Sequence, residues 1–218
     1  MSVNNLEQDT AIRRGWRGGS VRAEQKLRTR DRLVEAARTV FEAKGYGAAS
    51  INDITAECEI HRATFYIHFP SKAECFLAVI DRVIVEQSAD YWRALDKALL
   101  ADTPAAIRAW LADAVDWWEQ HAALLPAWEE ALAIDRQIAG RLAFQLGGLA
   151  NEMQGFLALF DRPQEREDAK LKIVHLVLML DSFWFRTVVQ GVINSDREHV
   201  LDLLADMWCG ALHIGESV

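Results

Sequence analysis

Residues 32–76 read RLVEAARTVFEAKGYGAASINDITAECEIHRATFYIHFPSKAECF. Its first part repeats apolar residues at helical spacing, which predicts a first helix over about 24–44. Gly45 then stands where a residue in the left-handed conformation commonly ends a helix. Four apolar residues share the buried face of this helix: Leu33, Ala37, Val40 and Phe41.

A second, short helix is predicted to begin after Ser50. The side chain of Asp53, three residues later, can return to the start of the helix as the partner of Ser50 in a capping box, although Glu or Gln is more usual there. Ile51, Ile54 and Cys58 form the apolar stripe of this helix.

A turn at Glu59–Ile60 leads into a third helix, predicted over 62–69. Pro70 ends this helix, and Ser71 caps a fourth helix that runs from Lys72 to about Leu99. Two helices this short cannot bury their apolar faces alone, so they need the first helix as the third side of a bundle.

This arrangement leaves one face of the third helix free to enter a DNA major groove. Its polar residues are Arg62, Thr64, Tyr66 and His68. Periodicity alone does not separate this helix-turn-helix interpretation from that of an ordinary helical hairpin.

The charge distribution is compatible with binding to a polyanion, although the net charge is −8. Residues 1–72 contain 12 Lys and Arg against 9 Asp and Glu, whereas residues 73–218 contain 12 against 23. Because screening limits a charge's reach to about 10 Å, the positive end of the chain can act independently of the acidic remainder.

The rest of the chain predicts helices throughout. They lie near 72–99, 104–121, 126–135, 136–160, 164–193 and 196–213, which with the first three makes about nine helices and an all-α fold. The predicted organisation is a flexible basic arm over 1–22, a helix-turn-helix DNA-binding domain over 23–71, and a ligand-binding and dimerisation domain over 72–218. The apolar stretch from Ile173 to Ile193 contains His175, Asp181 and Arg186, so it is a poor membrane span.

Three segments resemble the TetR family of repressors almost position by position. AARTVFEAKGY resembles the family's first helix, INDIT its second, and RATFYIHFPSK its recognition helix and the start of the fourth. The stretches TFYIHFPSKAECFLAVIDRV and HVLDLLADMWCGALHIGES look most like the ethionamide-resistance-repressor branch of that family.

The resemblance implies roles for the residues of the head. It implies that Tyr66, His68 and Lys72 contact phosphates. Arg62 and Thr64 are then expected to contact bases or nearby phosphates, and Phe65 and Phe69 are expected to lie in the core. Basic residues before the motif either approach the phosphates or the minor groove or form a solvated tail: Arg22, Lys26, Arg28 and Arg30.

Two residues depart from the family pattern. Glu59 stands where the family commonly has Gly, so it is expected to strain the turn or to give it another geometry. His61 stands where Ser or Thr is common and is a weaker N-cap. His61 either points at DNA or is an exposed residue without a role.

The resemblance also implies a pocket for a small apolar or amphipathic effector in the body, for which simple core packing is the alternative. The expected lining is Trp110, Trp118, Leu142, Leu146, Leu149, Met153, Asp181 and Trp208. Asp181 lies in the apolar run VLMLDSFWF, where it is either a structural residue with a partner or a polar anchor for the ligand.

These observations predict a ligand-responsive repressor that binds a pseudo-palindromic double-stranded DNA operator as a homodimer through its last two helices. The alternative is an effector-independent repressor whose body is only a dimerisation core. We find no catalytic motif, metal spacing or cofactor motif, so an enzyme is not expected. Three widely spaced cysteines and the lack of a secretory signal favour the cytoplasm, without membrane association.

Overall fold

The computed structural model describes residues 4–149, 152–194 and 196–215, with side chains from residue 21 onward except 84–89, 144–147 and 149. This part of the chain is all helical, which confirms the predicted fold class. Its α-helices are α1 (Asn4–Ala48), α2 (Ile51–Glu57), α3 (Arg62–His68), α4 (Lys72–Ile80), α5 (Glu86–Leu100), α6 (Pro104–Gln120), α7 (Leu125–Ile134), α8 (Arg136–Leu149), α9 (Gln154–Leu157), α10 (Pro163–Trp184) and α11 (Arg197–Leu212).

The described part has eleven α-helices where about nine were predicted, because two predicted helices are interrupted. A π-helical segment, Asp81–Val85, separates α4 from α5. The predicted helix 136–160 is divided into α8 and α9, and Asp96 caps the start of α9 by accepting hydrogen bonds from the N–H groups of Gly155 and Phe156. A second π-helical segment, Phe185–Val189, extends α10.

Helix α1 begins about twenty residues before the predicted start at Glu24, so the backbone of 4–22, expected as a flexible arm, is helical. Each glycine in this stretch costs a helix only about 1 kcal/mol, and no proline interrupts it. The helix is broken at Gly45, whose φ of 76° and ψ of 172° place it outside the helical region. The predicted break of the helix at Gly45 is therefore confirmed, although its ψ differs from that of the left-handed helical conformation.

The chain divides into two compact units. We call Met1–Val40 with Ala49–Val79 the head, and Phe41–Ala48 with Ile80–Val218 the body. The head ends at Val79 and omits the last turns of α1, while the DNA-binding domain over 23–71 stays a prediction.

The core of the head is built from α1 to α4. Leu33, Ile54 and Phe65 have no exposed surface, and Phe69 is 2% exposed. The rings of Phe65 and Phe69 lie 5.7 Å apart. Their assignment to the core rather than to DNA is confirmed, and the packing fixes which face of α3 remains outside.

The core of the body is rich in tryptophan. Trp110, Trp118, Trp184 and Trp208 are buried in one apolar cluster, in which α6 packs against α5 and α11. At the edge of this cluster, Arg108 of α6 makes 2.6 Å ion pairs with Glu198 and Asp202 of α11. Within the described residues, no helix has both the length and the apolar character needed to cross a bilayer.

The turn Gly45–Tyr46–Gly47 is held to α7 within the body. The Tyr46 hydroxyl donates to Asp135 Oδ2 at 2.6 Å, and the Gly47 N–H donates to Glu130 Oε2 at 2.9 Å. Burial and the neighbouring Asp135 carboxylate raise the pKa of Tyr46, so its phenol stays protonated and continues to donate.

Candidate nucleic-acid interface

Helix α2 begins with the predicted capping box. The Ser50 hydroxyl oxygen accepts a hydrogen bond from the Asp53 N–H at 3.2 Å, and Asp53 Oδ2 accepts one from the Ser50 N–H at 2.9 Å. Two N–H groups at the helix start are therefore satisfied by local side chains. Asp53 fills the place usually taken by Glu or Gln.

The turn between α2 and α3 places Glu59 in the left-handed region, with a φ of 52°. The Glu59 N–H donates to Ala56 O at 3.2 Å and the Ile60 N–H to Thr55 O at 2.9 Å, which is the Schellman pattern of a helix end. Arg32 of α1 donates to Cys58 O at 2.7 Å. The turn keeps the geometry that glycine favours, although glycine is absent.

Helix α3 begins without side-chain capping. His61 has extended backbone angles at the N-cap position, but its side chain makes no capping hydrogen bond. Only its carbonyl oxygen takes part, accepting from the Thr64 N–H at 2.8 Å and the Phe65 N–H at 3.3 Å. The prediction that His61 is a weak N-cap agrees with this arrangement.

Two polar residues on the exposed side of α3 and one on α2 form a group that we call the reading triad: Arg62, Tyr66 and Asn52. The Arg62 guanidinium donates to Asn52 Oδ1 at 3.0 Å and to the Tyr66 hydroxyl at 3.1 Å. Its Cζ atom also lies 5.7 Å from the centre of the Tyr66 ring. These contacts hold the Arg62 guanidinium on the surface, where its remaining donors can meet a ligand.

The other predicted DNA-binding residues also belong to the head. Arg28 and Arg30 are exposed on α1, whereas Thr64, His68 and Lys72 are half-buried. Lys72 Nζ donates to Ala49 O at 3.0 Å, so it links the start of α4 to the segment before α2. Because Thr64 is half-buried, its side chain is less accessible to DNA than the sequence pattern predicted.

His68 borders a groove of about 540 Å³ between α1 and the end of α3. Its Nδ1 atom is buried without a hydrogen-bond partner among the described residues. Burial, and then the positive charges of Lys26 and Arg30, lower the pKa of His68, which favours the neutral ring. Arg30 also stacks on Phe69, with its Cζ atom 4.5 Å from the ring centre.

Sequence reasoning missed Asn52, Ala63 and Ile67 as parts of the exposed surface. Asn52 belongs to α2 and is joined to α3 only by folding. Ala63 and Ile67 are apolar, so a search for polar DNA contacts leaves them out, although Ile67 is 67% exposed. Helical spacing from Arg62 was the available signal, because positions i, i+1, i+4 and i+5 share one side of a helix.

The predicted effector lining is only partly brought together in the body. Trp110, Trp118, Met153 and Trp208 are buried in the same cluster, and the rings of Trp110 and Trp208 lie 5.1 Å apart. Leu142 is half-buried, and the side chains of Leu146 and Leu149 lie outside the described residues. Of the predicted residues, Trp208 also lines a cavity of about 240 Å³ between α10 and α11.

Asp181 is half-buried, and this burial removes water from its carboxyl group. This desolvation, with the nearby charge of Glu129, raises the pKa of Asp181 to about 7. Burial and the charge of Asp181 raise the pKa of Tyr91 well above its usual range. The Trp184 indole N–H, one turn further along α10, is buried without an acceptor among the described residues.

Three helices with a tight turn, a packed core beneath the third helix and a fixed arginine on its outer side define a helix-turn-helix DNA-binding module. The comparisons with known proteins agree with this class. The family described as bacterial regulatory proteins, tetR family, matches residues 33–79.

Two relatives align over most of the chain. The HTH-type transcriptional regulator EthR of Mycolicibacterium smegmatis is 30% identical over 187 residues, which cover 83% of this chain and 84% of that protein. The HTH-type transcriptional repressor NicS of Pseudomonas putida is 28% identical over 194 residues, covering 85% and 84%. Two other curated relatives are matched over only 36% and 17% of their own lengths. The chain belongs to the TetR family of transcriptional regulators.

A solved structure shows the same fold. The crystal structure of a tetR-family transcriptional regulator from Streptomyces coelicolor has a TM-score of 0.64 and 16% sequence identity, covering 88% of this chain and 82% of that one. The resemblance stated from the sequence motifs is thereby confirmed at the level of family and fold.

Proposed function

We propose that this protein is a ligand-responsive transcriptional repressor that binds a pseudo-palindromic operator as a homodimer and is released by a small, largely apolar effector. The observation that carries the proposal is the reading triad, in which Arg62 is held at the surface by Asn52 and Tyr66. We also propose a cytoplasmic location, which suits the free, buried thiols of Cys58, Cys75 and Cys209.

The triad suits base recognition because an arginine can donate two hydrogen bonds to guanine O6 and N7 in the major groove. Tyr66, His68 and Lys72, with Arg28 and Arg30 of α1, are proposed to contact phosphates. Thr64 is proposed as a nearby polar contact despite its partial burial. Phosphate contacts set the position of the head on DNA, while base contacts give sequence preference.

The proposed homodimer is formed through α10 and α11. Two large apolar residues on each helix are 39–50% exposed: Leu178 and Met179 on α10, and Leu203 and Met207 on α11. Three of them, Met179, Leu203 and Met207, line the cavity between these helices. A second copy that pairs the same helices would remove this surface from water and form a four-helix interface.

The effector is proposed to enter the tryptophan-rich body. The proposed apolar contacts are Trp110, Trp118, Met153 and Trp208, together with Leu142, Leu146 and Leu149. Asp181 is the proposed polar anchor, because its carboxyl group has no hydrogen bond or ion pair to another described residue. An effector shifts the protein away from DNA only if it binds more tightly to the form with low operator affinity.

The second candidate function is effector-independent repression. It is favoured by the close packing of the body, in which Trp110, Met153 and Trp208 are each at most 3% exposed. In that case Asp181 is a structural residue, and the body serves only to join two copies.

The experiment has two stages. Duplexes that bind the full-length protein are selected from a random-sequence pool, and compounds that raise its thermal transition are then tested for release of the selected duplex. Ligand-responsive repression predicts enrichment of a two-fold symmetric sequence and at least tenfold weaker binding with one stabilising compound. If a two-fold symmetric sequence is enriched but no stabilising compound releases the duplex, the result supports effector-independent repression. If no sequence is enriched, the result contradicts both candidate functions.

A further inference from the structure

Two apolar side chains share the exposed side of α3. Ala63 is exposed, and Ile67, one helical turn later, is 67% exposed. Residues four positions apart are neighbours on a helix surface, so Ala63 and Ile67 form a short apolar strip beside Arg62 and Tyr66. The large apolar residues that the core takes from this segment are Phe65 of α3 and Phe69, which follows its last residue, and both are buried.

The surroundings of Ile67 are positively charged and partly apolar. Ile67 and Leu27, which is 61% exposed, both line the groove of about 540 Å³ between α1 and α3. Lys26 and Arg30 line the same groove, as does one carboxylate, Glu74, so positive charges outnumber negative ones there. An occupant of this surface should therefore combine negative charge at its edge with a small apolar group near Ile67.

The DNA major groove offers this combination at thymine. Base edges there carry hydrogen-bond donors and acceptors, and the C5-methyl group of thymine is the apolar group among them. Phosphates lie along both edges of the groove. Because the Ile67 side chain cannot hydrogen bond, covering such a methyl group is the most direct way in which it can add to sequence preference.

We infer that Ile67, assisted by Ala63, recognises the C5-methyl group of at least one thymine in each operator half-site. The inference rests on the proposed function, since it assumes that α3 enters the major groove. It adds a specificity that Arg62 cannot provide, because the guanidinium recognises acceptors and Ile67 recognises a methyl group.

The test compares two forms of one operator. A duplex selected by the full-length protein is synthesised with thymine or with uracil, which pairs identically but lacks the C5-methyl group. Wild-type protein is expected to bind the uracil form about fourfold more weakly for each contacted methyl group, the value for losing one buried methyl-sized group. Equal affinity for the two forms overturns the inference, while failure to select any duplex contradicts the proposed function itself.

The variant Ile67→Ser assigns the preference to its residue, because isoleucine and serine have similar helix propensities. Its thymine-to-uracil affinity ratio should fall close to one, mainly through weaker binding to the thymine form. If the serine variant binds too weakly to measure, Ile67→Ala takes its place, because alanine retains one methyl-sized group. The thymine-to-uracil affinity ratio of Ile67→Ala should lie between one and the wild-type ratio.

The matched control is Ile134→Ser, which makes the same change at a 62% exposed site in the body and should keep the wild-type ratio. If the measured Ile67 variant, serine or alanine, keeps the wild-type thymine-to-uracil affinity ratio, the preference comes from DNA shape or from another residue. That result overturns the inference.

Discussion

Glu59 lies at the tightest point of the turn between α2 and α3. Its φ of 52° is in the left-handed region, where a side chain costs about 1–2 kcal/mol relative to the ordinary helical region. The two Schellman hydrogen bonds and the bond from Arg32 to Cys58 O hold the turn in this conformation. The strain is therefore localised to one residue within an otherwise satisfied helix end.

Replacing Glu59 by glycine should remove this strain. We expect Glu59→Gly to raise the free energy of unfolding of the head by about 1 kcal/mol. Hydrogen exchange of the α2 and α3 amides measures this quantity for the head itself. The control Glu57→Gly places the same substitution inside α2 and should lower the free energy by about 1 kcal/mol. If both substitutions shift the free energy of unfolding in the same direction, the conclusion that Glu59 is strained is wrong.

His68 should make the stability of the head depend on pH. Its pKa is lowered in the folded protein from its ordinary value of 6.5, so the unfolded chain binds the proton more readily. Stability is therefore full above pH 6.5 and falls as the pH drops through 6.5 toward the folded pKa. In His68→Gln, the loss of head stability between pH 7 and pH 5, again followed by amide exchange, should be smaller. An identical pH dependence would exclude His68 as its source.

At the scale of elements, α7 fixes the turn that ends α1. Gly45 has a φ of 76°, and a Cβ atom there would lie 2.7 Å from Glu130 Oε2. A Cβ atom at Gly47 would clash with Glu130 Oε1. Glycine at both positions therefore allows the Glu130 carboxylate to approach the backbone, and the Tyr46–Asp135 hydrogen bond completes the attachment within the body.

Tyr46→Phe should lower the free energy of unfolding by about 1.5–3 kcal/mol, because it removes a part-buried hydrogen bond to a charged acceptor. Thermal or urea unfolding of the full-length protein measures this change. Tyr66→Phe is the matched control, since the Tyr66 hydroxyl is on the exposed surface and accepts from Arg62, and it should change stability by less than about 0.5 kcal/mol. Equal effects of the two substitutions would show that the Asp135 contact does not stabilise the body.

Local chemistry made α2 and α3 predictable. Ser50 and Asp53 predicted the capping box, and Pro70 predicted the end of α3. The separate helix α9 was not predictable, because its cap is Asp96, 59 residues earlier in the chain. The same distinction holds at the interface: Arg62 and Tyr66 follow from the pattern of α3, whereas Asn52 joins them only through the packing of α2. Ile67 was not predicted because only the polar residues of α3 were considered as DNA contacts.

At the scale of the whole molecule, charge and apolar surface are distributed unequally along the chain. Residues 10–34 carry 8 basic and 2 acidic side chains, whereas residues 73–218 have a net charge of −11. The largely exposed apolar residues of α10 and α11 belong to the acidic part. This distribution matches the proposed division between DNA binding by the head and pairing of copies through the body.

Met207→Glu should weaken the proposed pairing, because it places a charge on a 50% exposed apolar position of α11. Sedimentation should show a shift from dimer toward monomer, and affinity for a two-fold symmetric operator should fall by at least tenfold. Ile134→Glu introduces the same charge at the 62% exposed site on α7 and should leave both quantities unchanged. A wild-type protein that is monomeric at micromolar concentration would contradict the α10–α11 interface.

The central claim is that the outer side of α3 recognises duplex DNA through Arg62. The most direct measurement is the affinity of wild-type protein and Arg62→Ala for a selected duplex and for a scrambled duplex at one salt concentration. We predict that Arg62→Ala weakens binding to the selected duplex by at least tenfold and affects the scrambled duplex much less, because a bidentate base contact contributes about 1–3 kcal/mol of discrimination. Arg136→Ala, at an exposed arginine of the body, serves as the control and should bind as wild type. Equal affinities of wild type and Arg62→Ala for the selected duplex would contradict the claim.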